Sequence, residues 1–229
     1  MPAISAVVFD LDGTLVDSLP DLRAALNRLL AARGLAPLAA PKVREMVGDG
    51  AKRLVERAFA AHGRAAGPDD LADFLADYEA NCALATRVYP GIPEALETLA
   101  AHGHRLAVCT NKPAAATRSL LDALGLTGFF GAVVGGDSTP YRKPDPRHLA
   151  QAISGLGAVS GVMVGDHAND ILAARGLPIP SIFVTWGYGR AQGDFTARDA
   201  SELPGIVAEI ARSRPTLSAG PGLGTPYQP

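Results

Sequence analysis

The sequence predicts an α/β protein: a doubly wound, Rossmann-like parallel sheet with an all-helical cap domain inserted after its first strand. Three observations carry this expectation. Five short apolar runs, at residues 6–9, 106–109, 132–134, 162–164 and 182–184, have the length and composition of buried strands. Helical patterns separate most of them, as in a parallel sheet covered on both faces. Roughly 95 residues lie between the first two runs, where a βαβ crossover needs about a dozen.

The first run leads into FDLDGTL at residues 9–15. Ser18-Leu19-Pro20-Asp21 then reads as a capping box, an acid three residues after a serine. Leu22, Ala25, Leu26, Leu29 and Leu30 follow at helical spacing, and Gly34 is a terminator. Val43, Met46 and Val47 predict a second helix, broken by Gly48-Asp49-Gly50. Leu54, Val55, Ala58 and Phe59 resume the pattern. Asp69 and Asp70 read as caps for a helix carrying Leu71, Phe74, Leu75 and Tyr78. Residues 17–88 are therefore expected to form a helical cap with a small core of its own. Pro90-Gly91 marks the return to the sheet. Pro93 suits the first turn of a helix running through Leu99, with Gly103 past its end. Residues 1–16 and 89–212 make up the expected catalytic core. Residues 213–229 hold four Pro and three Gly and read as a flexible tail.

Composition excludes several function classes. The chain is 48% hydrophobic, enough for a sizeable core, and its net charge of −2 leaves no basic footprint for nucleic acid. Cys82 and Cys109 form no CxxC pair and no disulfide framework. The chain opens without a basic segment followed by an apolar one, so no secretory signal is read. No apolar run approaches the roughly 18 residues of a membrane span. A soluble cytoplasmic protein, monomer or homodimer, with no nucleic-acid or membrane partner, is the expectation.

In an open parallel sheet, ligands bind beyond the carboxyl ends of the strands. Asp10 and Asp12 follow the first strand there. Thr110, Asn111 and Lys112 follow the second, Lys143, Pro144 and Asp145 come after the third, and Asp166 and Asp170 follow the fourth. Converging acids without cations would be destabilising. A hard divalent cation relieves this, and Mg²⁺ is the natural guest, since it takes one or two carboxylates and leaves positions for water and phosphate. Lys143 supplies further positive charge. In that setting the spacing of Asp10-Leu11-Asp12-Gly13-Thr14 has a chemical reading. One carboxylate attacks phosphorus and forms an aspartyl phosphate. A second, two residues on, protonates the leaving oxygen and later activates water. Thr110, with backbone N–H groups near Asn111, can hold the transferring phosphoryl oxygens. Each motif alone is an ordinary turn or cap; their joint order, each after a strand, carries the inference.

These residues resemble the haloacid dehalogenase superfamily, and specifically its phosphatases. FDLDGTLVDS is similar to the first motif of that superfamily, VCTN to the second, YRKPDP to the third and VGDHAND to the fourth. The resemblance spans residue 1 to about 210, including a helical cap just after the first motif. It implies that Asp10 is nucleophile and metal ligand, and that Asp12 is general acid/base and binds Mg²⁺ through its backbone carbonyl. It further implies that Thr110 and Asn111 hold phosphate, Lys143 pairs with nucleophile and phosphate, Asp166 ligates Mg²⁺ and Asp170 supports it. VGDGAKRLVERA, VYPGIPEAL, LAVCTNKP and GGDSTPYRKPDP resemble the phosphoglycolate phosphatase branch. The fourth motif departs from the pattern at His167, where Ser or Thr is usual; a spacer or a group titrating near neutrality are both open there.

A small phosphomonoester is the implied substrate, and phosphoglycolate carries a carboxylate away from its phosphate. Residues 42–57 hold five cations (Lys42, Arg44, Lys52, Arg53, Arg57) against three acids (Glu45, Asp49, Glu56). Gly48 and Gly50 can bring backbone N–H groups close to a ligand, and Lys52 or Arg53 is expected to face the substrate carboxylate. A solvated amphipathic helix explains any one of these cations equally. Trp186 and Tyr188 either line the cleft or pack in the core. His62, His102, His104 and His148 read as surface or capping residues, and Cys109 as core. The alternatives are a phosphatase or phosphomutase for another small sugar phosphate, and a non-catalytic phosphate-binding protein. The latter is expected to have lost an acid or the lysine, and this chain has them all.

Overall fold

The five apolar runs are strands, and a sixth joins them. The computed structural model describes residues 5–213; the expected tail beyond Ser213 lies outside the described residues. In chain order the elements are β1 Ala6–Phe9, β2 Val16–Asp17, α1 Leu19–Ala32, α2 Ala40–Arg44, α3 Ala51–Ala60, α4 Pro68–Asn81, β3 Arg87–Val88, α5 Ile92–Ala101, β4 Arg105–Cys109, α6 Ala114–Ala123, β5 Phe130–Val134, α7 Pro146–Gly155, β6 Gly161–Gly165, α8 Ala168–Gly176, β7 Ser181–Val184, β8 Phe195–Ala197 and α9 Leu203–Ser213. The main sheet has six strands in the order β5-β4-β1-β6-β7-β8, all parallel.

Alternation along each strand decides which layer a residue joins. Val7, Phe9, Val108, Val164 and Val184 face the layer of α5, α6 and α9. Ala6, Val8, Ala107, Cys109 and Met163 face α7 and α8. The chain steps outward from β1 to β4 and β5, then returns to β6 on the other side. The order therefore reverses between β1 and β6, where a crevice opens at the carboxyl ends.

Helices α1–α4 lie between β1 and β4 in the chain, and they have no separate core. Leu26, Val55, Phe59 and Phe74 belong to the same buried cluster as Val7 and Phe9. The reason is that the connecting residues Leu11, Leu15, Leu19 and Leu22 are themselves buried and bridge the two. Short β2 and β3 pair antiparallel, Val16 with Val88 and Asp17 with Arg87, and so tie together the two chain crossings.

The expected capping box at Ser18 is corrected. Ser18 makes no side-chain cap; its hydroxyl donates to Asp12 Oδ1 at 2.5 Å. Asp21 instead accepts from the backbone N–H groups of Ala85 and Thr86 and from Thr86 Oγ1, which locks the start of the insertion to its end. At α4 the N-cap is Gly67, and Asp70 reaches back to its N–H at 2.8 Å. His148, expected at the surface, is fully buried. It shares a helical face with Leu149, Ala152 and Ile153, and that face is pressed onto the sheet. Its Nε2 lies 3.1 Å from Gly135 O and its Nδ1 3.6 Å from Cys109 Sγ. No helix among the described residues is long and apolar enough to cross a membrane.

Candidate active site

Strand ends deliver the acids. The Asp10 N–H donates to Val164 O at 2.9 Å, which carries the β1–β6 ladder one residue past β1 and sets Asp10 beside the end of β6. Asp166 follows β6 directly, and Asp170 sits in the first turn of α8. Carboxylate oxygens of Asp10, Asp166 and Asp170, all buried, lie within 4.8 Å of one another. Lys143 Nζ stands between two of them, 2.9 Å from Asp10 Oδ1 and 2.6 Å from Asp170 Oδ1.

Asp166 and Asp170 are held from behind. Asp166 Oδ2 accepts from the N–H groups of Tyr188 (2.7 Å) and Gly189 (3.2 Å), and Oδ1 from Thr14 Oγ1 (3.1 Å). Asp170 Oδ2 accepts from the His167 N–H at 3.0 Å. Gly13 has φ +88°, and any Cβ there would overlap the Asp166 carboxylate. Only glycine allows the loop to turn this close to the acid.

The electrostatics fit a cation. Burial and the neighbouring Asp10 charge push the Asp166 carboxyl up to about 6, against the donors that hold it. Burial likewise raises Asp170, although Lys143 opposes it. Lys143 rises too: burial works against its charge, but Asp10 and Asp170 outweigh it. Asp10 Oδ1 is buried and meets Lys143 Nζ as an ion pair. A set of buried hard carboxylate oxygens with a single ammonium among them is the donor chemistry that a small divalent metal takes.

Asp12 occupies a different position. Its carboxylate is clamped by Ser18 Oγ and by Lys112 Nζ, at 3.0 and 3.2 Å. Lys112 is buried, and its Nζ also donates to the Tyr78 hydroxyl at 2.6 Å. Its charge is retained: burial disfavours the cation, but Asp12 and Tyr78 outweigh it. Sequence reasoning assigned no role to Lys112 or Tyr78. Lys112 stands directly after Thr110-Asn111, and that adjacency was the one available signal.

Thr110 is buried, and its Oγ1 accepts from the Lys112 N–H at 3.2 Å. Asn111 donates through Nδ2 to Gly48 O (3.0 Å) and Lys143 O (2.9 Å). Its side-chain donors therefore tie the insertion to the core. Gly48 also approaches Asn169 Nδ2 at 3.3 Å, and with φ +120° a Cβ on it would press into the His167 ring. Gly50 packs against the Asn111 carbonyl. His167 replaces the usual hydroxyl as N-cap of α8, with Nδ1 accepting from the Asn169 N–H at 3.3 Å.

Gly48, Gly50, Thr110, Asn111, Asp10 and Asp12 all line one cavity of about 50 Å³. Lys52 and Arg53 do not. Their side chains are 66% and 65% exposed and pair with Glu56. Ala51, Leu54 and Val55 turn α3 inward, so positions 52, 53 and 56 face out. Trp186 and Tyr188 pack against the core cluster and brace the Asp12–Leu19 loop. Trp186 Nε1 donates to Thr14 O at 3.0 Å, and the Tyr188 hydroxyl accepts from the Ser18 and Leu19 N–H groups and donates to Asp17.

A model of the haloacid dehalogenase-like hydrolase family matches residues 4–177. The chain belongs to the haloacid dehalogenase-like hydrolases. Phosphoglycolate phosphatase of Rhodospirillum rubrum is 48% identical to this hydrolase over 195 residues, which cover 81% of each chain. Phosphoglycolate phosphatase of Caulobacter vibrioides is 45% identical over 190 residues, 80% of each chain. Among solved structures, a predicted phosphoglycolate phosphatase from Haemophilus somnus superposes with a TM-score of 0.83 at 32% identity. That match covers 90% of this hydrolase and 99% of the other chain.

Proposed function

We propose that this hydrolase is a Mg²⁺-dependent phosphomonoesterase that works through an aspartyl phosphate on Asp10 and converts 2-phosphoglycolate to glycolate and phosphate. The observation that carries the reading is the convergence of Asp10, Asp166 and Asp170 on one point beside Lys143, with Asp12 two residues further along the same loop. The names of the relatives support the choice of substrate.

Asp10, Asp166 and the Asp12 backbone carbonyl would hold the ion, with Asp170 behind them. When bound, Mg²⁺ neutralises phosphoryl charge and orients the phosphate for in-line attack. An Asp10 oxygen then forms a bond to phosphorus as the bond from phosphorus to the glycolate oxygen breaks. Asp12 gives its proton to that departing oxygen. Water next attacks the phosphorus of the aspartyl phosphate and passes a proton to Asp12, freeing Asp10. Thr110 and the backbone N–H groups beside it hold the phosphoryl oxygens, and Lys143 balances their charge. Leu22, Val47, Leu54, Phe74 and Tyr78 of the helical insertion line the cavity together with Asp10 and Thr110, so movement of the insertion would admit substrate and its closure would exclude solvent.

The test is phosphate release from a panel of phosphomonoesters, including 2-phosphoglycolate and sugar phosphates, with Mg²⁺ and with chelator. Selective, chelator-sensitive turnover of 2-phosphoglycolate supports the reading. Preference for a sugar phosphate transfers the chemistry to another substrate, and turnover that survives chelation refutes the metal requirement.

A further inference from the structure

We infer that Lys112 and Tyr78 form the subsite that reads a second anion on the substrate, a carboxylate remote from the phosphoryl group. The inference rests on the phosphatase reading above and says which residues make it selective. Among the described residues lining the cavity beside Asp10, Lys112 is the one cation. Its side chain is 4% exposed. Leu22, Val47, Leu54, Phe74 and Leu75 supply apolar wall, so a charge there acts through a low dielectric.

The position suits the remote end of a short substrate. Lys112 lies two residues beyond Thr110 and touches Asp12, so it sits next to where the leaving oxygen departs. In 2-phosphoglycolate the carboxylate is only one methylene from that oxygen. Tyr78 adds a second donor. Its oxygen accepts from Lys112 Nζ at 2.6 Å, which leaves its own proton to donate to the carboxylate. The Lys112 ammonium lies 4.3 Å from the Tyr78 ring centroid, so the ring also steadies the cation. Tyr78 comes from α4 of the insertion and Lys112 from the core, so the subsite is complete only while the insertion is docked. The exposed Lys52 and Arg53, paired to Glu56 on the outer face of α3, have no part in it.

The experiment compares kcat/KM for 2-phosphoglycolate with that for 2-hydroxyethyl phosphate, in which a hydroxymethyl group replaces the carboxylate. The wild-type chain is expected to prefer 2-phosphoglycolate. Lys112→Met is expected to reduce that preference by roughly 10- to 100-fold, the worth of a charge-assisted hydrogen bond. Tyr78→Phe should reduce it by roughly tenfold or less. Both variants also disturb the surroundings of Asp12, so the ratio of the two substrates is the readout. Equal loss on both esters overturns the subsite and leaves Lys112 a positioning residue for Asp12. If circular dichroism shows Lys112→Met unfolded, Tyr78→Phe decides, and an unchanged ratio in it overturns the inference. Hydrolysis of neither ester by the wild-type chain with Mg²⁺ overturns the choice of 2-phosphoglycolate as substrate, and the subsite with it.

Discussion

Lys143→Met isolates the electrostatics of the acid cluster, because methionine keeps most of the stem and removes the charge. The ammonium is 2% exposed and lies 2.9 and 2.6 Å from Asp10 and Asp170. Without it, three buried carboxylates face one another. Breaking a buried pair by removing one partner costs about 3–5 kcal/mol. A chain of this size loses about 2–4 °C of Tm per kcal/mol, so the metal-free variant should melt roughly 6–20 °C below wild type. Excess Mg²⁺ should shrink that gap, because the orphaned carboxylates gain a cation that binds the folded state alone. The assay is thermal unfolding by circular dichroism, with Mg²⁺ and with chelator. Lys42→Ala is the control, since its partner Glu45 and Lys42 itself are both more than half exposed and such pairs are worth about 1 kcal/mol at most. No rise in Tm with Mg²⁺ in either protein would refute the placement of a cation among these acids. A loss as small as the control's would refute the claim that the carboxylates are charged there.

Asp12→Asn should slow hydrolysis of alkyl phosphates far more than that of aryl phosphates, whose leaving groups need no proton; a leaving-group series read by phosphate release checks it, and equal slowing removes Asp12 from the acid role. Gly13→Ala should destabilise the chain by about 2 kcal/mol or more and displace Asp166, because φ is +88° and the new methyl overlaps that carboxylate. Denaturant unfolding and the Mg²⁺ dependence of activity report the two effects separately. Burial keeps His148 below its usual range, so the unfolded chain binds more protons below about pH 6.5 and the folded chain loses stability as pH falls through that region. His148→Gln should flatten the decline in stability between neutral pH and pH 5 by at most about 1.4 kcal/mol per unit. An unaltered slope would mean that His148 titrates alike in both states.

The strands were legible because sheets buried on both faces must be apolar throughout, and runs such as Ala6-Val7-Val8-Phe9 have no other reading once helices separate them. Strand β8 escaped because it is a three-residue edge in which Phe195 is half-buried and Thr196 exposed. The β2–β3 pair is too short to carry any pattern. At the site, acids placed after strands announce themselves by position. Lys112 and Tyr78 did not, since their meeting joins residues 34 apart in sequence and each suits a blander role alone, a loop lysine and a core aromatic. Lys52 and Arg53 drew attention through local charge excess, which is blind to direction. The helical phase set by Ala51, Leu54 and Val55 turned them to solvent, and that phase was already present in the sequence. His148 shows the same lesson in reverse, a polar residue carried inward by the phase of Leu149, Ala152 and Ile153. His167 could be placed only by geometry, because a ring nitrogen standing in for a capping hydroxyl leaves no mark in spacing.

Acid-quenching the chain during turnover of 2-phosphoglycolate with Mg²⁺, then mapping the phosphoryl group by peptide mass spectrometry, tests the chemistry most directly. A phosphoryl adduct on Asp10 in the wild-type chain, absent in Asp10→Asn, is the result expected. Turnover with no adduct on Asp10, or an adduct on another acid of the cluster, would contradict it.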